Sequence, residues 1–370
     1  MREEDTVTLR QFLAAVFVSL FSPVSRLIPG AVLEIAGTQG WIAPALAWLP
    51  AAGLVLLMRG LLERDGERLG LARALRLDLG EKPGRAVTLL LVLWLVLYGG
   101  FVLRSGAERL ISTVYPSADL SFFAFAVIGV CTLSAAGKLR YAFRSAAVIL
   151  LLFSFILLLI VAFALPNVRG AYLRPLFPAY PGKVLLSVLP AADVLTPWMP
   201  FTFLWGRVER QGNPLKPCLR GLAVTAAGVL LLMLTTVGIL GEELSLRQQY
   251  PFFIMIKNLS VFHVVERIEP LVVTVWLMTD YVCITACLLS ASEGCRSMFP
   301  GKRSVWAAGC GGAMLAACYL LAPDASFLEK LSNTVVPAVN LSLCFLLMPA
   351  VRLIGLWKNH EKIKKRLDKL

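Results

Sequence analysis

An apolar run in the second half of the chain is interrupted by Leu189-Pro190-Ala191-Ala192-Asp193-Val194-Leu195-Thr196-Pro197-Trp198-Met199-Pro200. Each proline removes a backbone donor and disturbs an α-helix. Asp193 adds an ionisable group, which is costly at membrane depth unless it faces the interior of a helix bundle. Non-helical backbone at that depth is tolerated only where it is buried in protein or lines a wet cavity. The stretch therefore predicts a broken transmembrane helix with polar main chain exposed around Asp193.

A matching interruption lies in the first apolar run, Phe21-Ser22-Pro23-Val24-Ser25-Arg26-Leu27-Ile28-Pro29-Gly30. Other prolines also occur within apolar runs, so the combination of proline with a charged side chain distinguishes these two places. Paired interruptions in the two halves of a membrane protein are the best pointer in a sequence to a substrate site. The two breaks predict a membrane protein that binds or transports a small molecule between its first and sixth spans.

The whole chain is apolar enough for a polytopic membrane protein, with 58% hydrophobic and 16% charged residues. Each crossing needs about 20 mostly apolar residues. About ten stretches reach that length, near residues 9–36, 39–60, 85–111, 118–137, 142–165, 185–206, 218–241, 267–290, 303–322 and 332–356. We expect an all-α fold of about ten transmembrane helices in one domain spanning residues 1–370.

Two sets of five spans make an inverted repeat, because five is odd and the second set enters from the other side. We expect residues 1–165 to form the first repeat, residues 185–356 the second, and residues 357–370 a basic cytoplasmic tail. The leucines between residues 69 and 79 predict a short amphipathic helix. The segment after the seventh span predicts a helix that covers the outer mouth.

The net charge of +13 is distributed in a way that indicates how the chain is oriented in the membrane. Lys and Arg concentrate in alternate loops and in the tail, which is the positive-inside bias. We therefore expect no nucleic-acid partner, both termini in the cytoplasm, and attraction of the basic face to an anionic lipid bilayer. The even number of spans agrees with the charge, since it returns the C-terminus to the inside.

Arg26 and Asp193 are the charged candidates for ligand binding at the two breaks. Arg26 would bind an anionic group such as a carboxylate, helped by the positive end of the following half-helix. Alternatively, it pairs internally with Asp193 or Asp280. Asp193 would bind an ammonium group or a proton, or cap the restarting helix, and both roles can hold together. We add to this ligand-binding set Ser22, Pro23, Val24, Ser25, Tyr98, Ala192 and Thr196.

Asp280 lies in the middle of the eighth span, where no helix end needs a cap. It is a candidate proton or cation site, or a partner for Arg26. Arg104 and Glu108 are one turn apart and are expected to pair with each other. The glycines that follow Tyr98 would let a ligand approach the backbone, or else let two helices pack closely.

Enzyme chemistry finds little support in the sequence. The chain has only two histidines, His263 and His360, which do not suit a Ser-His-Asp set. It has no phosphate loop or dinucleotide fingerprint. We therefore expect no enzymatic activity, no metal and no cofactor, and any transport would depend on ion or substrate gradients.

Several fragments, in order along the chain, resemble the B-subunit family of GerA-type spore germinant receptors, the spore permease branch of the amino acid–polyamine–organocation superfamily. The resemblance covers nearly the full length. It rests on Thr8-Leu9-Arg10-Gln11-Phe12, Ala36-Gly37-Thr38-Gln39-Gly40-Trp41-Ile42, Leu79-Gly80-Glu81-Lys82-Pro83-Gly84, Tyr250-Pro251, Val265-Glu266-Arg267-Ile268-Glu269-Pro270-Leu271 and Trp276.

This resemblance implies a fold like that of the leucine transporter, with unwound first and sixth helices. It implies a subunit that senses a small nutrient germinant, often an amino acid, in the spore inner membrane. The implied partners are an A-type membrane subunit and a C-type lipoprotein. The alternative hypothesis is a proton- or cation-coupled amino acid transporter of the same fold, because fold alone does not determine function.

Overall fold

A computed structural model describes residues 6–64, 66–174, 180–210, 212–258, 269–321 and 324–367, without the side chains of residues 22–28, 359 and 361–367. Each predicted span corresponds to one helical segment in these ranges. The first five are α1 Leu9–Ala36, α2 Ala43–Leu62, α4 Glu81–Thr113, α5 Leu120–Ala136 and α6 Leu139–Ala164. The sixth comprises α7 Pro181–Asp193 and the 3₁₀ helix Thr196–Arg207. The seventh to ninth are α8 Leu215–Arg247, α10 Glu269–Met298 and α11 Arg303–Leu320.

The tenth segment is a helical rod with two π-helical turns. It consists of α12 Ala325–Lys330, the π turn Leu331–Val335, α13 Val336–Ser342, the π turn Leu343–Leu347 and α14 Met348–Leu367. Within the described residues, six helices are long and apolar enough to cross a membrane, and the bent sixth pair is a seventh. The chain is thus a multi-pass membrane protein.

Successive segments run in opposite directions, so the connections collect on two faces of the bundle. We name the face that holds Val7, Arg68 and Lys358 the N-terminal face, and the face that holds Thr38 and Tyr250 the opposite face. The predicted amphipathic helix is α3 Leu71–Leu79, which follows a small hairpin of β1 Glu63–Arg64 and β2 Glu67–Arg68 on the N-terminal face. The predicted helix after the seventh span is α9 Pro251–Lys257 on the opposite face.

Side chains at helix starts explain where several elements begin. The Thr8 hydroxyl accepts a hydrogen bond from the Gln11 amide at 3.3 Å and caps α1. Asp324 caps α12 by accepting from the Phe327 amide at 2.7 Å, a bond that lowers the pKa of Asp324 below its ordinary 3.8. Such caps satisfy amides that have no partner within the helix. They fix the ends of helices whose apolar surfaces alone would not define them.

The N-terminal face is closed by contacts between its connections. Val7 pairs with Val208 in a parallel bridge, with Val7 N donating to Arg207 O at 3.0 Å. The Arg207 guanidinium binds Glu293 of α10 at 2.8 Å. Arg68 donates to the Glu209 carbonyl and lies 5.2 Å from the centre of the Trp205 ring. The chain that leaves the sixth span is therefore tied to the N-terminus, the hairpin and α10.

Candidate ligand site at the broken sixth span

The predicted break in the sixth span is confirmed. Helix α7 ends at Asp193, the 3₁₀ helix begins at Thr196, and the two are bent by 41°. Proline cannot donate to the helical ladder, and Pro190 and Pro197 stand on either side of the bend. The backbone bonds that remain there are tight turns, such as Leu195 N to Ala192 O at 3.0 Å. The proline spacing therefore produces the irregular backbone that the sequence predicts.

Asp193 is the centre of a buried hydrogen-bonded group, with only 2% of its surface exposed. The Asn340 side-chain amide, from α13, donates to Asp193 Oδ1 at 2.9 Å. The Thr196 hydroxyl lies 3.4 Å from the same oxygen and donates to the Asp193 backbone carbonyl at 2.6 Å. Asn340 Oδ1 in turn accepts from the Trp94 indole of α4 at 3.0 Å. Three spans thus contribute to holding one carboxylate.

The Asp193 side chain does not cap the 3₁₀ helix, which was the alternative role predicted for it. The 3₁₀ helix has Leu195 at its N-cap and no side-chain cap bond. The carboxylate instead sits at the C-terminal end of α7, where the helix dipole is negative and disfavours an anion. Donors from Asn340 and Thr196 offset that cost. The geometry places a negatively charged group inside the bundle, at the bend between α7 and the 3₁₀ helix.

The first predicted break is not present in the helical backbone. Helix α1 is assigned as α-helix without interruption from Leu9 to Ala36. A proline removes one donor and bends a helix without necessarily ending it, so the Ser22–Gly30 stretch stays helical. The side chains of Ser22, Pro23, Val24, Ser25 and Arg26 lie outside the described set. Helix α1 nevertheless packs against α7 and the 3₁₀ helix, beside the second break.

Asp280 has a described partner that the sequence analysis missed. Arg109 Nη2 of α4 lies 2.5 Å from Asp280 Oδ2, and both side chains are almost fully buried. The Arg109 guanidinium also lies 4.6 Å from the centre of the Trp276 ring, a cation–π contact. Arg109 is an ionisable residue near the end of a span, the same signal that drew attention to Arg104. The predicted Arg104–Glu108 pair is confirmed at 2.5 Å.

Tyr98 is buried next to Trp94, the residue that donates to Asn340 in the group around Asp193. Its ring stacks on Trp94 with centroids 6.2 Å apart. A Cβ atom at Gly99 would lie 2.6 Å from Met314 Sδ, and one at Gly100 would lie 2.6 Å from the Ala317 Cβ. These distances support the helix-packing explanation of the glycine pair, because α4 and α11 touch there. Ala192 is also buried, at 3% exposure.

An apolar cavity of about 100 Å³ lies near the bend, on the side of the N-terminal face. It is bounded by α1, α2, the 3₁₀ helix and α8, with Phe17, Leu20, Trp198 and Thr202 among its walls. The sequence analysis did not select Asn340 and Arg109, which are buried, or Trp94, which is half-buried. In the described part of the chain, no cluster of three or more His, Cys, Asp or Glu side chains is placed to hold a metal ion.

Comparison with known proteins places these features in a family. Residues 6–326 match the family described as "Spore germination protein" (Spore_permease), and the chain belongs to that family. Among curated protein sequences, none matches this chain. The family resemblance seen in the sequence is thereby confirmed.

Two solved structures share the fold. A Na⁺-coupled sialic acid symporter in a substrate-bound, outward-open state is similar with a TM-score of 0.65 and 14% identity, covering 94% of this chain and 79% of the symporter. MhsT in complex with L-phenylalanine is similar with a TM-score of 0.61 and 14% identity, covering 94% of this chain and 97% of MhsT. The predicted fold class, that of leucine-transporter-like membrane proteins, is confirmed.

Proposed function

We propose that this chain is the B-type subunit of a nutrient germinant receptor and binds a small nutrient, of the amino acid class, at the break of its sixth span. The observation that carries the proposal is the buried Asp193 carboxylate at the 41° bend, held by Asn340 from another span. Membership in the spore germination protein family supports the receptor role. An amino acid carries an ammonium group, which forms a charge-assisted hydrogen bond with a carboxylate.

In the proposed site, Asp193 and Arg26 bind the two oppositely charged groups of the amino acid. Asp193 binds the ligand ammonium, while Arg26 on α1 binds its carboxylate. In the alternative arrangement, Arg26 pairs internally with Asp193 or Asp280 and does not contact the ligand. The remaining proposed contacts are Ser22, Pro23, Val24, Ser25, Tyr98, Ala192 and Thr196. The apolar cavity beyond Trp198 offers room for an apolar ligand side chain.

The proposal includes a place in the cell and two partners. The protein lies in the spore inner membrane with both termini in the cytoplasm, beside an A-type membrane subunit and a C-type lipoprotein. The basic connections on the N-terminal face support this orientation. Neither the family nor the fold is that of an enzyme, and we propose that the subunit carries no catalytic activity.

The decisive experiment measures germination and ligand binding of site variants. Asp193→Ala and Arg26→Ala are each expected to abolish the nutrient response or shift it to higher nutrient concentration, while the protein still inserts in the membrane. Glu243→Gln is the matched control, since Glu243 is an exposed carboxylate at the end of α8. Normal responses from both site variants would show that the nutrient binds elsewhere.

The second candidate is a cation-coupled amino acid transporter, favoured by the fold shared with a Na⁺-coupled symporter. Labelled amino acids added to vesicles that contain the protein separate the two functions. Saturable binding without accumulation supports the receptor, and concentrative uptake supports the transporter. Asp280→Asn would then test coupling, because unchanged gradient-driven uptake would exclude Asp280 as the proton or cation site.

A further inference from the structure

A larger cavity, of about 440 Å³, lies at the opposite face and is separate from the group around Asp193. Its volume falls within the range of about 300–1,000 Å³ that is usual for small-molecule sites. It is bounded by the end of α1, by α4, by the chain just before α9 and by the start of the tenth segment. The polar residues on which the inference rests are Glu34, Ser105, Gln249, Glu329, Ser332 and Asn333.

The charge of this cavity has one sign. Glu34 and Glu329 contribute two carboxylates, and none of the described lining residues is Lys, Arg or His. Neither carboxylate makes an ion pair or a side-chain hydrogen bond within the described part of the chain. A cleft lined by charges of one sign raises the local concentration of the opposite sign and repels its own. Cations and amines are therefore favoured over carboxylates.

Ser332 supplies an independent indication of a ligand. It is 5% exposed, it lines the cavity, and its hydroxyl has no hydrogen-bond partner in the described part of the chain. A buried polar group normally has a partner, and one without it indicates a missing ligand, ion or water. Ser332 also lies in the π-helical turn Leu331–Val335. Such turns occur frequently at functional sites.

We propose that this cavity is a second binding site, which takes small polar solutes that carry an ammonium group. The ammonium group lies between Glu34 and Glu329, and a polar group of the solute hydrogen-bonds the Ser332 hydroxyl. Zwitterionic and cationic amines enter, and anions without an amine are excluded. This site goes beyond the proposed nutrient site, because Asp193 does not line the cavity.

A charged thiol reagent tests the electrostatic part of the proposal. Asn333→Cys places a reporter in the cavity wall, and the wild-type chain with its eight native cysteines gives the background. In lipid nanodiscs, we measure the reaction rates with trimethylammonium-ethyl and sulfonato-ethyl methanethiosulfonate, each normalised to a small free thiol. We expect the cationic reagent to react about tenfold faster after normalisation, the lower end of the enrichment that charged clefts produce.

Two further variants assign that preference to the cavity carboxylates. Glu34→Gln combined with Glu329→Gln is expected to make the normalised rates equal. Glu243→Gln removes a carboxylate from the same face but outside the cavity, and is expected to leave the preference unchanged. Equal normalised rates of the two reagents on Asn333→Cys with both glutamates intact would overturn the proposal. A preference for the cationic reagent that persists in the double glutamine variant would also overturn it.

Protection of the reporter tests the binding part. The probes are L-alaninamide as a cation, L-alanine as a zwitterion and N-acetyl-L-alanine as an anion of similar size. The first two are expected to slow labelling in a saturable manner, and Ser332→Ala is expected to weaken that protection. Equal protection by N-acetyl-L-alanine, or no protection by either amine, would overturn the proposal. No nutrient response is measured, so this failure is distinguishable from failure of the germinant site.

Discussion

The buried Arg109–Asp280 pair makes a specific prediction at the residue scale. Arg109→Met or Asp280→Leu alone removes one partner of a buried ion pair, which typically costs about 3–5 kcal/mol. Replacing both residues together removes both charges, and we expect most of the lost stability to return. Thermal unfolding in detergent of the two single variants and the double variant measures this coupling. A double variant as unstable as the sum of the single ones would contradict a direct pair.

Individual residues were partly predictable from the sequence. Asp193 was found because an aspartate between prolines in an apolar run has few explanations. Asn340 and Trp94 were missed, since a lone amide or indole in a span gives no signal until its partner is known. The pairing of Asp280 was missed for a different reason. Its partner Arg109 is 171 positions away in the chain, a separation that no local pattern encodes.

Elements are better predicted than contacts, because hydrophobic length and proline positions are local properties. Each of the ten predicted spans coincides with a helical segment, and the bend at Asp193 lies where Pro190 and Pro197 place it. The continuous α1 shows the limit of the same rule. Prolines produce a bend or a break, and tertiary packing decides which of the two occurs.

The close contact between helices α4 and α11 predicts how substitutions of their glycines change the stability of the protein. Gly100→Ala puts a methyl group 2.6 Å from the Ala317 Cβ and 2.7 Å from the Met314 carbonyl oxygen, so one helix must move. Overpacking of this kind costs about 1–3 kcal/mol, and we expect a lower unfolding temperature. Gly309→Ala on α11 is the matched control, because nothing lies within 4 Å of its added methyl. Equal effects of the two substitutions would argue against close helix packing at Gly100.

The whole molecule makes a prediction about sidedness. The connections on the N-terminal face and those on the opposite face must lie on different sides of one membrane. We expect Ser117→Cys, between α4 and α5, to react with a membrane-impermeant maleimide on intact cells, while Lys302→Cys, between α10 and α11, reacts only after permeabilisation. The reverse labelling pattern would place both termini outside. The division into repeats at residues 1–165 and 185–356 stays a prediction.

The link between Thr38 and Glu242 has a mechanical consequence for the whole molecule. Gly241 has a φ of 76°, which breaks the regular course of α8. Glu242 then accepts a bond from the Thr38 amide at 2.8 Å, and a second from the Thr38 hydroxyl. These two hydrogen bonds join the connection between α1 and α2 to the C-terminal end of α8. If α1 tilts relative to the rest of the bundle, the end of α8 beyond Gly241 must move with it, or these two hydrogen bonds must break.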